Sequence, residues 1–129
     1  MKEPRFDCAV DAAMSVIEGR WKTVIMCQLA HRREPMRYNQ LMSGIPGISP
    51  RIFTLQLKEM EKDGLIIRDV RSESPKHVEY SLSPRGLSLL PILVSLAEWG
   101  LKNMFPNRVR FEANATMPER SDLERAGLC

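Results

Sequence analysis

The chain has 129 residues, 43% of them hydrophobic and 27% charged, with a formal net charge of +3. That is enough apolar material for one domain with a real core, and nothing in the composition calls for a second. Three Cys form an odd set with no framework spacing, which argues against a disulfide scaffold and for a reducing compartment. The segment 1–7 carries acids and no apolar core, so no signal peptide is expected. The longest apolar stretch, 87–97, is broken by Ser88, Pro91 and Ser95 and is shorter than the roughly 18 residues a membrane span needs. The expectation is a cytoplasmic protein with no membrane partner.

Taken in order, residues 8–17 read as a first helix, with Val10, Ala13, Met14 and Ile17 turned inward and Gly19 ending it. Residues 21–29 read as a second, striped by Trp21, Val24, Ile25 and Leu29, with the large indole as a hub of the core. Cys27 within it reads as a small buried hydrophobe. His31 to Pro35 is a loop, with His31 in solvent.

Tyr38 to Met42 reads as a short helix and Ser43 to Ile48 as a turn, leading into the best-marked stretch of the chain, 49–64. Ser49 is a good N-cap, and Pro50 fits the first helical position, where its missing N–H costs nothing. Gly64 supplies a left-handed stop. At a helical period Phe53, Leu57 and Met60 share one side, while Arg51, Leu55, Lys58 and Lys62 share the opposite one with Thr54 nearby. A basic outward face fixed from behind by apolar anchors is what major-groove reading asks for. The order is helix-turn-helix, with a longer turn than the minimal form.

Strand-like runs at Leu65–Val70 and Val78–Leu82 flank residues 71–77, a hairpin with a basic-flanked tip that forms the wing of a winged helix. Ser83-Pro84 repeats the capping signal and opens a helix running through Trp99, kinked at Pro91. Its apolar residues surround more than one face, so a partner subunit is expected to cover Leu89, Ile92, Leu96 and Trp99. The domain is placed at 1–105. Residues 106–129 are set apart as a mobile C-terminal tail, with 121–126 its one helical candidate.

Between Arg20 and Lys62 eight basic residues stand against three acids, a net of +5, while the rest of the chain is acidic. Such a block over a helix-turn-helix is an electrostatic footprint for the phosphates of double-stranded DNA. An enzyme is not expected: there are two His, no metal-spaced cluster, no Gly-rich phosphate loop and no nucleophile elbow, so neither metal nor cofactor is called for. Asp7 and Asp11 flank Cys8 and are expected to raise its pKa. A second reading stays open, a winged helix that binds protein without specific DNA binding, because Leu55 sits in the middle of the outward face.

The motifs together resemble a known family. Cys8-Ala9-Val10, Gly19-Arg20-Trp21-Lys22, Tyr38-Asn39-Gln40-Leu41, Pro46-Gly47-Ile48-Ser49-Pro50-Arg51, Leu57 to Leu65, Val78-Glu79-Tyr80-Ser81-Leu82 and Ala97-Glu98-Trp99-Gly100 follow the order and spacing of the HxlR-type winged-helix transcriptional regulators. The likeness runs from Cys8 to about Gly100, and departs from the usual pattern at Leu55, commonly polar, and Glu18, often Gly. It implies an α+β, mainly helical fold with a two-stranded wing and terminal dimerisation helices. It also implies a homodimeric regulator, a repressor in the first instance, on an inverted-repeat operator. Ser49, Arg51, Thr54 and Leu55 are then candidates for base edges or nearby phosphates, and Arg37, Tyr38, Lys58, Arg71 and Lys76 for phosphate. In redox- and electrophile-sensing members a cysteine at the place of Cys8 is the sensor, which makes an oxidant or small-molecule effector part of the expectation. A first-turn position would favour its thiolate through free N–H groups.

Overall fold

The computed structural model describes residues 3–104 and 120–121. The elements run α1 (Ala9–Ile17), α2 (Lys22–Arg32), β1 (Met36–Arg37), α3 (Tyr38–Ser43), α4 (Pro50–Lys62), β2 (Ile66–Glu73), β3 (Lys76–Leu82) and α5 (Pro84–Asn103). The fold is mainly helical, with a small antiparallel sheet in the order β1-β3-β2. It is a winged helix whose wing is wider than the sequence indicates. β1, too short to leave a periodic signal, pairs Met36 with Tyr80 and turns the two-stranded hairpin into three strands. β2 and β3 also run almost to the tip, leaving only Ser74 and a cis Pro75 between them, so the seven-residue tip is a correction.

The core is one cluster. Phe53, Leu57 and Met60 of α4 meet Ile25, Met26 and Leu29 of α2, Leu41 of α3, Ile45 and Ile48 of the turn, Met36 and Tyr80 of the sheet, and Leu90, Leu93 and Val94 of α5. Five consecutive residues of α2, Ile25 to Leu29, are buried, so this helix is enclosed on every side and is the true centre. Trp21 is not that hub. It stands half-buried at the N-cap of α2, with the Arg20 guanidinium 4.6 Å from the indole centroid. Enclosure also buries Gln28 completely, and neither its Oε1 nor its Nε2 finds a hydrogen-bond partner. His31, expected in a loop, closes the last turn of α2, and Arg33 takes the left-handed C-cap at φ 60°.

α1 departs most from expectation. Of the four residues assigned inward only Ile17 is buried; Val10, Met14 and Ala13 face out. The stripe turns into the core only at its C-terminal end, because periodicity finds a stripe but not what covers it.

The α4 stop is a full Schellman closure. Gly64, at φ 76°, donates its N–H to Glu61 O at 3.0 Å, and Leu65 donates to Met60 O at 2.9 Å. The start of α5 is lashed to this same corner. Ser83 N–H donates to Leu65 O at 3.0 Å, Ser83 Oγ donates to Gly64 O and accepts from Gly86 N–H, and Arg85 donates to Asp63 O at 2.9 Å. Gly86 is required by contact rather than by φ: a Cβ there would lie 2.2 Å from Leu65 O. Pro91 lies within a continuous α5. Of residues 106–129, expected to form a mobile tail with a helical stretch at 121–126, only Arg120 and Ser121 are among the described residues, and both are helical; Arg120 reaches Glu98 of α5 at 2.5 Å.

Candidate nucleic-acid interface

α4 divides into stripes. Phe53, Leu57 and Met60 are buried; Arg51, Leu55 and Lys62 face outward; Thr54, Lys58 and Glu61 form the flank toward the wing; Glu59, on the other flank, turns to α2. The start is built as the residues dictate, with Ile52 N–H donating to Ser49 Oγ at 3.2 Å. That bond uses a lone pair of Ser49 and leaves its O–H free to donate.

α3 is fixed to α4 through Tyr38. Its hydroxyl lies 2.8 Å from Thr54 Oγ1 and donates to Pro50 O at 3.3 Å, and its ring packs on Phe53 at 4.9 Å between centroids. Tyr38 and Thr54 are both half-buried, so their first role is to set the angle at which α4 is presented. When Tyr38 donates to Pro50, Thr54 donates to Tyr38 and has only lone pairs left for a base edge. Arg37 N–H donates to Gln40 Oε1 at 3.1 Å, closing the first turn of α3 and leaving the Arg37 side chain exposed. Lys58 and Lys76 are exposed, and Leu55 stands 48% exposed among the polar residues of α4.

One basic residue counted in the footprint is placed elsewhere, and one phosphate candidate of the wing is already paired. Lys22 is buried, its ammonium 2.9 Å from Glu59 Oε2, and ties α2 to the back of α4. Removing that neutral pair leaves the net charge of the block at +5. Arg71 donates to Asp69 Oδ2 at 3.1 Å; this hydrogen bond, then the nearby charges of Asp69 and Glu79, raise its pKa further.

The terminal helices carry apolar stripes in solvent. On α5, Ile92, Leu96 and Trp99, spaced one turn apart, are 60%, 53% and 58% exposed; on α1, Val10 and Met14 are 69% and 42% exposed. Leu89, grouped with them from the sequence, is instead half-buried against the core. Cys8 is the N-cap of α1 and exposed. The amides of Asp11, then Val10, hold its thiol below the ordinary value, the direction opposite to the one expected from Asp7 and Asp11. Burial pushes the Cys27 thiol up to about 12. Among the described residues no group of His, Cys, Asp and Glu is placed to hold a metal, and no helix is long and apolar enough to cross a membrane.

A capped helix anchored in the core, its angle set by Tyr38, basic on its free side and flanked by a wing, defines a DNA-binding winged helix-turn-helix protein. Residues 16–108 match the HxlR-like helix-turn-helix family. The chain belongs to that family, whose members are transcriptional regulators and not enzymes. It is 38% identical over 119 residues to YtcD, an HTH-type transcriptional regulator of Bacillus subtilis, with 92% of this chain and 91% of that one aligned. It is 39% identical over 100 residues to an HTH-type regulator of Methanothermobacter thermautotrophicus, with 78% of this chain and 75% of that one aligned. Solved structures that superpose on it include the redox regulator HypR in its reduced form, at TM-score 0.68 and 36% identity over 74% of this chain and 93% of that one. The reduced form of the transcriptional regulator YodB of B. subtilis matches at TM-score 0.68 and 27% identity, over 79% of this chain and 99% of that one.

Proposed function

We propose that this regulator acts as a homodimer, a repressor, that lays α4 of each subunit in successive major grooves of an inverted repeat. The observation that carries the reading is the outward stripe of α4, where Arg51, Leu55, Lys58 and Lys62 stand free while the opposite side is locked into the core. Arg51 reads a base edge, Leu55 packs on a thymine methyl, and Ser49 and Thr54 contribute hydroxyls beside them. Lys58, Arg37 and Lys76 meet phosphate, while Tyr38, its hydroxyl proton given to Pro50 O, positions α4 beside them; Arg71, its charge shared with Asp69, has the lesser part. Residues 1–105 work as one unit. The exposed apolar stripes of α1 and α5 are the subunit contact, since such surface is costly to leave in water. A two-fold dimer would place the half-sites about one helical turn, roughly 34–36 Å, apart.

Control acts through Cys8. The exposed thiol, its pKa lowered by helix amides, has the character of an oxidant-sensing group, and the names of HypR and YodB's reduced form are consistent with that chemistry. An adduct there shifts α1 at the subunit contact. Because the start of α5 is bonded to the end of α4, a rotation of α5 carries the recognition helix with it. Selection from a random duplex pool tests the function: enrichment of an inverted repeat with that spacing is expected, whereas recovery of unrelated sequences would support the protein-binding alternative that Leu55 keeps open.

A further inference from the structure

Between α4 and the base of the wing lies a cleft of about 340 Å³ lined by Tyr38, Thr54, Lys58, Glu61, Arg68 and Tyr80. Strand alternation explains how Arg68 comes to be there. In the antiparallel register Arg68 stands opposite Tyr80, and Tyr80 opposite Met36, so the three share one face of the sheet. Met36 and Tyr80 are buried, which makes this the core-facing side, with exposed Arg68 as its outermost member. Asp69 and Arg71 lie on the other face, where Asp69 pairs with Glu79 in register and takes the Arg71 hydrogen bond.

The two wing arginines therefore differ in what faces them. Arg71 is hydrogen-bonded to Asp69 and lies within the field of Glu79. Among the described residues neither the Arg68 guanidinium nor the Lys58 ammonium has a hydrogen bond or ion pair to any protein group, although Glu61 lines the same cleft. Two free cations and one carboxylate leave the cleft cationic. It is also continuous with the reading surface. It shares Thr54 and Lys58 with a recess lined by Arg51 and Leu55, and Tyr38 with another lined by Arg37 and Lys76. A strand whose bases meet Arg51 thus has a cationic course along its backbone.

We infer that the cleft seats one backbone phosphate of bound DNA between Lys58 and Arg68, so that Arg68, on the wing strand, is a positioning contact for α4. The inference rests on α4 being the reading helix and adds a residue to it. One phosphate contact contributes a slope of about 0.9 to log K against log salt, which at about 0.1 M salt is on the order of tenfold in affinity.

The test compares Arg68→Gln, Arg68→Lys and Arg71→Gln with the wild type by titrating fluorescent duplexes over a salt series. Arg68→Gln is expected to bind every sequence on the order of tenfold more weakly and to lower the salt slope by about one, with Arg68→Lys restoring the slope. Arg71→Gln should change less. A neutral methylphosphonate scanned along the duplex should find one linkage at which the wild type loses at least as much as Arg68→Gln does, and there the two losses should not add. A wild-type slope for Arg68→Gln, a loss of affinity with the slope unchanged, or losses that add at every linkage would each overturn the seat. Binding of inorganic phosphate to wild type but not Arg68→Gln, with equal duplex affinities, would mark a small-anion site and overturn it too. Absence of duplex binding by the wild type would instead remove the proposed function itself, and the seat with it.

Discussion

Replacing Trp99 by Ala bears directly on assembly. The side chain is 58% exposed on the outer stripe of α5. Of about 250 Å² for a Trp side chain, that is about 145 Å² left in water, and covering it contributes about 3.6 kcal/mol at about 25 cal/mol/Å². Two-fold symmetry uses the residue twice, for a ceiling of about 7 kcal/mol per dimer; with half that area covered, about 3.6 kcal/mol remains, or about 400-fold in the dimer dissociation constant. Sedimentation velocity over a protein concentration series reads this constant. Circular dichroism checks that helix content is unchanged, as it should be for a side chain outside the core. Tight operator binding should fall with the dimer, because each half-site alone holds only part of the affinity. A dissociation constant equal to that of wild type would show that α5 does not form the interface, and the assignment of Ile92 and Leu96 would fall with it.

Gly86→Ala puts a Cβ 2.2 Å from Leu65 O and should cost at least about 1–3 kcal/mol in a urea titration, by forcing α5 away from the end of α4; a neutral result would mean that this corner yields easily. Gln28→Met removes two buried polar atoms without partners and should raise stability by about 1–2 kcal/mol in the same assay, whereas a loss would reveal a hydrogen bond that the side chain makes. Iodoacetamide, followed by mass spectrometry from pH 6 upward, should label Cys8 at lower pH than a free thiol, because its pKa is lowered and the thiolate is the nucleophile. Cys27, with its thiol pushed up to about 12, should label only on unfolding; equal rates for the two would contradict both placements.

What the sequence made legible follows from how local each signal is. The N-cap of α4, the Gly64 stop and the buried Phe53, Leu57 and Met60 are fixed by residues within one helix, and all stand as read. β1 has two residues and no period of its own; only its pairing with Tyr80 makes it a strand. The size of Trp21 points to the core, but a core position depends on what surrounds it, and the enclosed helix positions are Ile25 to Leu29. Val10 and Met14 show the same ambiguity, since an apolar stripe looks alike whether it meets the core or a second subunit. At the interface, Lys22 looks like a surface charge in the sequence because its partner Glu59 lies 37 positions away. Arg68 does carry a signal in the sequence: it has the same strand parity as buried Ile66, which places it on the side toward α4.

The most direct test of α4 as the reading element is fluorescence anisotropy of Arg51→Ala, Lys58→Ala and wild type on a selected operator and a scrambled duplex, from about 50 to about 200 mM salt. Wild type should prefer the operator and lose affinity steeply with salt. Arg51→Ala should lose about 1–3 kcal/mol on the operator alone and relax preference at one base pair of each half-site, while Lys58→Ala should weaken both duplexes alike and lower the slope by about one. Equal binding of wild type to operator and scrambled duplex, or identical losses for the two variants on both, would contradict a helix that reads sequence through Arg51.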